Sequence, residues 1–197
     1  MTALPQPKAS YLTVADYLAL PEDSESRIEL QEGNLVMAPR AMPEHQASGF
    51  QLGFQLQPSL PTDLWIAPDV DVNLELVPDD QPATVRAPDV AIVQLTAMQR
   101  VRRERGMLRA SEVVLAVEII SPSSRRTDSV FKHSEYADAG IGHYWVIDLD
   151  DGFSLTAYHL GGEFGYVGAE PVKGVFETDT PFPARVDLTR LLPDGER

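Results

Sequence analysis

The spacing of apolar and polar positions predicts a helix, a hairpin and a second helix in the first third of the chain. Residues 13–20 have helical spacing, and Thr13 and Asp16 are placed as in a capping box. Residues 27–39 contain two short strand patterns around a turn with a glycine, which predicts a β-hairpin. Helical spacing returns over residues 43–57, so we expect a longer helix there.

The strand patterns become more apolar further along the chain. Residues 64–77 alternate between apolar and polar side chains, which predicts one strand with a solvent-facing side. Continuous apolar runs typical of buried strands lie at residues 87–93, 112–120 and 143–149. Between them, the charged segment 96–106 is interpreted as a short helix or a lid, and residues 125–139 have the character of a helix.

The order of these elements predicts an α/β (α+β mixed sheet) fold, with a central mixed β-sheet flanked by helices. Further short strands are expected at residues 153–160, 163–168 and 172–176, and a short helix at 187–192. No repeat or linker divides the sequence. We therefore expect a single domain over residues 1–197, with a flexible N-terminal arm over residues 1–11.

Composition excludes several classes of site. The chain has 197 residues and no cysteine, which excludes disulfides and cysteine-ligated zinc or iron–sulfur centres. No apolar run approaches the roughly 18 residues of a membrane helix, and the N-terminal sequence lacks the regions of a signal peptide. We expect a cytoplasmic protein with no membrane partner.

Charge is unevenly distributed along the chain. The net charge is −14, which disfavours a surface that binds nucleic acid everywhere. Residues 98–132, however, hold eight basic and four acidic side chains, a local charge of +4. Two interpretations stay open: two solvated charge runs beside a core strand, or a local phosphate-binding lip on an acidic body. The second makes Arg125 and Arg126 candidate contacts to substrate phosphates.

A carboxylate in the most apolar strand is the clearest chemical signal. Glu118 lies among apolar neighbours near the end of strand 112–120, where a charge needs a metal ion, a lysine or a pKa shift to compensate it. Asp71 and Asp89 lie on two other predicted strands. Neighbouring strands are about 4.8 Å apart, so these acids can converge on one ion. Hard oxygen ligands suit Mg²⁺ or Mn²⁺.

Lys132 completes this set of candidate residues. It lies 14 residues after Glu118 on the next predicted helix, from which its ammonium can return over the strand end. A divalent ion would acidify a water that the lysine orients. Ordinary explanations stay open for each residue: a turn cap for Asp89, an exposed strand position for Asp71 and a surface ion pair for Lys132.

Four stretches of the sequence together resemble the bacterial restriction endonuclease-like family within the PD-(D/E)XK nuclease superfamily. They are RIELQEGNLVMAP, PEHQ, PDVAIV and VEIISPSSRRTDSVFKHSEYADAGIGHYWVIDL, and the resemblance covers roughly residues 12–168. It implies a nuclease-like core over residues 12–168, with a divalent metal at the two motif acids, Asp89 and Glu118. It also implies the main-chain carbonyl of Ile119 as a metal ligand.

The resemblance adds further candidates and one departure. Glu29 matches an acid that the family places beside the metal, and His45 and Asp71 fall where the family carries polar site residues. The superfamily usually has its lysine two residues after the glutamate, where this chain has an isoleucine. Lys132 resembles the displaced lysine of this family. Ser121 either hydrogen-bonds within the site or shapes the turn.

These residues favour one function and leave others open. The favoured function is a divalent-metal-dependent endonuclease that hydrolyses DNA phosphodiester bonds with a metal-activated water. A homodimer is expected, because cutting two strands requires two sites related by symmetry. One alternative is a binding or assembly module that kept the fold with weak or no catalysis. The other is a metal-dependent phosphodiesterase acting on RNA or small nucleotides.

Overall fold

Four helices and fourteen strands lie within the residues that a computed structural model describes, namely 11–21, 27–38, 43–120, 131–150 and 152–192. The helices are α1 (Val14–Leu18), α2 (Pro43–Leu56), α3 (Leu95–Glu104) and α4 (His133–Asp138). The strands are β1 (Arg27–Gln31), β2 (Asn34–Ala38), β3 (Leu64–Pro68), β4 (Val72–Asn73), β5 (Val85–Arg86), β6 (Val90–Gln94), β7 (Leu108–Arg109), β8 (Val113–Ile120), β9 (His143–Asp148), β10 (Ser154–Leu160), β11 (Tyr166–Gly168), β12 (Val172–Lys173), β13 (Val175–Thr178) and β14 (Ala184–Asp187). Short 3₁₀ turns lie at Gln57–Ser59, Ala110–Glu112, Gly162–Phe164 and Leu188–Arg190.

The central sheet has the strand order β11-β10-β9-β8-β6-β3, with β12 beside β10. Strands β8 and β9 are parallel, whereas the other neighbouring strands of this sheet are antiparallel. Strand β8 is buried along almost its whole length, as expected for a central strand covered on both faces. The predicted mixed sheet flanked by helices is confirmed.

Successive side chains of β8 alternate between two hydrophobic cores. Leu115, Val117 and Ile119 belong to the core that includes residues of α2 and the β13–β14 hairpin. Ala116 belongs to the opposite core, which includes residues of α3 and α4. Because side chains alternate along a strand, Glu118 lies on the α3 and α4 side.

A second, five-stranded sheet has the order β2-β1-β5-β4-β7. Strand β5 is antiparallel to both β1 and β4, and β4 is parallel to β7. The first residues of β1, β4 and β7 therefore lie at the same end of this sheet as the last residue of β5. Asp89 follows β5 by three residues, and we call this end of the small sheet the Asp89 end.

Local signals correctly placed several elements. Thr13 and Asp16 form the predicted capping box of α1, and β1 and β2 form the predicted hairpin. The described part of the predicted helix 125–139 is α4, while residues 125–130 lie outside the described residues. Among the described residues, no helix has the length and apolar character needed to cross a membrane.

The prediction of one strand over residues 64–77 was wrong, because the segment divides between two sheets. Its first part is β3, at the edge of the central sheet, and its second part is β4 in the small sheet. Between them Asp69 has a φ of +47°, and its N–H donates to the carbonyl of Asp89 at 3.1 Å. Alternating polarity indicates a half-buried strand, but it does not report a change of sheet. The hairpin strand β14 was also not predicted.

Helix α2 offers a test of the core. Leu52 is fully buried, so Leu52→Ala is expected to lower the free energy of unfolding by about 2–5 kcal/mol. Phe50, two residues earlier, has 71% of its surface exposed, and Phe50→Ala should change it by roughly 0.5 kcal/mol or less. Urea denaturation measures both values. Similar losses for the two variants would contradict the orientation of α2.

Candidate active site

Asp89 lies between the two sheets, just after β5 and just before β6. Its Oδ2 accepts a hydrogen bond from the N–H of Ile119 at 2.7 Å. Its Oδ1 accepts one from Nη1 of Arg27 at 3.1 Å. Strands β6 and β8 are antiparallel with Val90 opposite Val117. The next positions, Asp89 and Glu118, therefore adjoin each other at one end of these strands.

His45, near the start of α2, is directed at the same point. Its Nε2 lies 3.3 Å from Oδ2 of Asp89 and is also in hydrogen-bond contact with the carbonyl of Ile119. Burial opposes protonation of His45, but the hydrogen bond and charge of Asp89 outweigh burial and raise the pKa of the imidazole. In turn, burial opposes ionisation of Asp89, but His45, Arg27 and Lys132 together lower the pKa of that carboxyl.

Glu118 accepts hydrogen bonds from Lys132, which directly precedes α4, and from Tyr136 within α4. It is only 2% exposed, and both of its carboxylate oxygens lie 3.1 Å from Nζ of Lys132. The hydroxyl of Tyr136 donates to Oε1 at 2.7 Å. Burial, followed by the charge of Glu118, raises the pKa of Tyr136 well above its ordinary value, so this hydroxyl keeps its proton.

Glu29, on β1 of the small sheet, holds the other side of Lys132. Its Oε1 lies 3.1 Å from Nζ of Lys132 and accepts a hydrogen bond from the N–H of Ala87 at 3.1 Å. Its Oε2 lies 2.9 Å from Nη1 of Arg86. Burial opposes ionisation of Glu29, but Lys132, the Ala87 N–H and Arg86 outweigh burial and lower the pKa of the carboxyl.

Arg86 extends this buried network to α4. Its Nε and Nη2 make two hydrogen bonds to the carboxylate of Glu135, at 2.6 and 2.7 Å. The arginine is 3% exposed, which is tolerated because paired acids satisfy its charge. Sequence reasoning missed Arg27, Arg86, Glu135 and Tyr136. For Arg86, the signal in the sequence was a single charged residue between Ala83 and Pro88, directly before the motif acid Asp89.

The remaining candidates are placed less centrally. Asp71 accepts a hydrogen bond from the hydroxyl of Tyr17 at 3.3 Å, and this hydroxyl also donates to the carbonyl of Ile28 at 2.7 Å. Burial raises the pKa of Asp71. The candidates that follow β8 in the sequence, namely Ser121, Arg125 and Arg126, lie outside the described residues.

The groups that a metal ion would use are distributed over two strand ends and α2. In the described part of the chain, no group of three or more acids and histidines is already arranged as a metal site. The carboxylate of Asp89 and the carbonyl of Ile119 nevertheless both reach one nitrogen of His45. Glu118 adjoins them across β6 and β8. Two carboxylates and a carbonyl are the oxygen donors that Mg²⁺ and Mn²⁺ prefer, so the residues present fit such an ion.

The fold of this chain has a counterpart among solved structures. The chain is similar to the crystal structure of a putative nuclease belonging to DUF820 from Anabaena variabilis, with a TM-score of 0.63 and 17% identity. The match covers 91% of this chain and 97% of that chain. This likeness shows that the two chains share a fold. The model of the Uma2 family, described as "Putative restriction endonuclease", matches residues 14–191, and the chain belongs to this family. No protein with a curated description matches it significantly.

Arg86 tests the cost of disrupting the buried network. Arg86→Met leaves Glu29 and Glu135 without their shared cation, so we expect the free energy of unfolding to fall by about 3–5 kcal/mol. The control is Arg185→Met, because Arg185 is 64% exposed and pairs with the exposed Glu177. An exposed pair contributes roughly 0–1 kcal/mol. Comparable effects in urea denaturation would contradict the buried network.

The lowered pKa of Glu29 predicts acid sensitivity. A carboxyl that is more acidic in the folded state adds stability above its unfolded pKa, about 4.3 for glutamate. This contribution is lost as the pH falls through the lower pKa of the folded state. Wild type should therefore lose more unfolding free energy than Glu29→Gln between neutral pH and about pH 3. Urea titrations at several pH values check this, and parallel curves for the two proteins would refute it.

Proposed function

We propose that this protein is a divalent-metal-dependent endonuclease that hydrolyses DNA phosphodiester bonds, with Mg²⁺ or Mn²⁺ as its cofactor. The observation that carries the proposal is the position of Lys132. Its ammonium is held between the buried carboxylates of Glu29 and Glu118, beside the strand end that carries Asp89. Membership of a family described as "Putative restriction endonuclease" supports the same function.

Asp89, Glu118 and the main-chain carbonyl of Ile119 are the residues that would hold the ion. His45 adjoins Asp89 and Ile119 and would either join them or orient them. When bound, such an ion supplies Lewis acidity that acidifies a water and stabilises charge on a phosphoryl oxygen. The hydrogen bond from the Ile119 N–H to Asp89 fixes the carboxylate relative to the end of β8. Tyr136 fixes the rotation of the Glu118 carboxylate in the same way.

Lys132 is the proposed catalytic cation. Two carboxylates position its ammonium, so it is oriented before substrate arrives and needs little reorganisation during reaction. In this position it orients the attacking water and balances charge that develops at phosphorus. Arg86 and Glu135 act indirectly, because they hold Glu29 against Lys132. Arg27 balances the charge of Asp89 from the small sheet.

DNA is the proposed substrate and a homodimer the proposed assembly. A phosphodiester backbone is the anion that a site with a dication and an adjacent lysine would bind. Two copies related by a twofold axis would present two sites to the two strands of a duplex. A substrate panel that includes RNA and small cyclic nucleotides decides between DNA and the alternative phosphodiester substrates. Analytical ultracentrifugation determines the oligomeric state.

Cleavage of supercoiled plasmid with Mg²⁺ or Mn²⁺ tests the proposal. Asp89→Asn, Glu118→Gln and Lys132→Met should each lower the cleavage rate by about 100-fold or more, because the first two weaken the site that would hold the ion and the third removes the cation beside the reacting phosphate. Glu177→Gln is the control, since that acid is exposed and pairs with Arg185 at the surface. Thermal unfolding of every variant separates loss of activity from loss of fold.

Calorimetric titration with Mn²⁺ gives a second, independent readout. Binding at millimolar concentration or tighter is expected for wild type, and Asp89→Asn should weaken it. A wild type that neither cleaves nucleic acid nor binds Mn²⁺ would contradict the endonuclease and favour a binding or assembly module. Cleavage that is unchanged in the Asp89 and Glu118 variants would place the chemistry elsewhere.

A further inference from the structure

The exposed basic side chains are concentrated in one short segment of this acidic protein. Among the described residues, seven lysines and arginines are exposed: Arg102, Arg103, Arg105, Arg109, Lys173, Arg185 and Arg190. Four of the seven lie within residues 102–109, at the end of α3 and in β7, although the whole chain carries a charge of −14. We call Arg102, Arg103, Arg105 and Arg109 the α3 basic patch.

A neighbouring arginine, Arg100, holds this segment in place. Its Nε and Nη2 lie 2.6 and 2.7 Å from the carboxylate of Glu112. Nη2 also donates to the carbonyl of Met107 at 2.8 Å. Arg100 therefore ties α3 to the segment around β7 and has a structural role. Glu104 pairs with Arg103 at 2.9 Å, so the patch is only partly neutralised from within.

Strand directions place Arg105 of the patch at the same end of the small sheet as the candidate site. Arg105 precedes β7 by three residues, and Asp89 follows β5 by three residues. Both positions belong to the Asp89 end, because β4 is parallel to β7 and antiparallel to β5. The N–H of Leu108 donates to the carbonyl of Asp71 at 3.2 Å, which fixes β7 there. Two strand spacings, about 10 Å, separate β5 from β7.

The backbone at Arg105 allows the charge of the patch to be tested separately from its stability. This residue ends α3 with a φ of +53°, in the left-handed region where glycine is favoured and a side chain is strained. Glu32, Asp69, Glu75 and Phe153 also have a positive φ, so this conformation is not confined to the patch. A glycine at position 105 would remove the positive charge and make the helix end more stable.

We propose that the α3 basic patch binds the phosphate backbone of DNA that extends from the candidate active site, an inference that rests on the proposed endonuclease function for its substrate. A DNA strand has one phosphate per roughly 3.4 Å of helix axis, which is much shorter than the two strand spacings between β5 and β7. The patch therefore contacts phosphates beyond the one that is cleaved. It strengthens binding of polymeric substrate and takes no part in the chemical step.

Two triple variants with the same change in net charge test this. The first is Arg102→Gln, Arg105→Gln and Arg109→Gln, and the control is Lys173→Gln, Arg185→Gln and Arg190→Gln. Fluorescence anisotropy with labelled duplex DNA and EDTA measures binding without cleavage, over a series of salt concentrations. The patch triple should bind DNA about tenfold or more weakly than wild type. Its plot of log K against log salt should also be less steep, by about 2–3 in slope, since each lost phosphate contact removes about 0.9. The control triple should bind nearly as wild type.

Equal losses of DNA affinity in the two triple variants would show that net charge alone governs binding. This result would overturn the proposed role of the patch. Failure of wild type to bind DNA would overturn it as well. Arg105→Gly guards against misfolding as an explanation. This variant should raise the melting temperature, because it relieves the left-handed conformation, and should still weaken DNA binding. Unchanged DNA binding in this more stable variant would count against a backbone contact at Arg105.

Hydrolysis of a small phosphodiester, bis(p-nitrophenyl) phosphate, with Mn²⁺ separates this inference from the proposed function. The patch triple should hydrolyse it as wild type does, while its KM for DNA rises. If wild type hydrolyses neither substrate, the endonuclease proposal fails. The anisotropy measurement then decides by itself whether the patch binds DNA. If hydrolysis is intact and both patch variants bind DNA as wild type does, the patch inference fails by itself.

Discussion

The ammonium of Lys132 is the point at which the parts of this molecule meet. Its nitrogen lies 3.1 Å from carboxylate oxygens of Glu29 in the small sheet and of Glu118 in the central sheet, and Lys132 directly precedes α4. All three side chains are buried. A buried charge that loses its partner is strongly destabilising, so these contacts constrain how two sheets and a helix assemble. The same contacts form the candidate site, and its geometry is therefore set by the fold.

The sequence was informative wherever the relevant signal is local. The capping box of α1, the first hairpin and the long apolar strand β8 each follow from neighbouring residues, and all are present. Glu118 was recognised because its neighbours are so apolar. Arg86 and Tyr136 were missed because their partners are distant in sequence: Arg86 pairs with Glu29 and Glu135, 57 and 49 residues away. Periodicity reports which positions are buried, but it does not report which polar groups meet there.

Charge is organised on two length scales. Inside the molecule, acids and bases are matched closely, as Arg86 is with Glu135 and Lys132 with Glu29 and Glu118. At the surface, the described basic side chains are concentrated near the end of α3, on a chain whose net charge is −14. An acidic body repels a polyanion from most directions. A local basic surface can then favour one direction of approach, which explains how a strongly acidic chain can be compatible with a phosphodiester substrate.

Ile119 presents its main chain to the candidate site and its side chain to the core. Its N–H donates to Asp89, its carbonyl contacts His45, and its side chain packs with Val117 and Trp145. An alanine scan removes side chains only, so at this position it would register a loss of packing and leave the polar groups intact. Part of this site is thus encoded by backbone geometry, and neither mutational screens nor residue identity would reveal it.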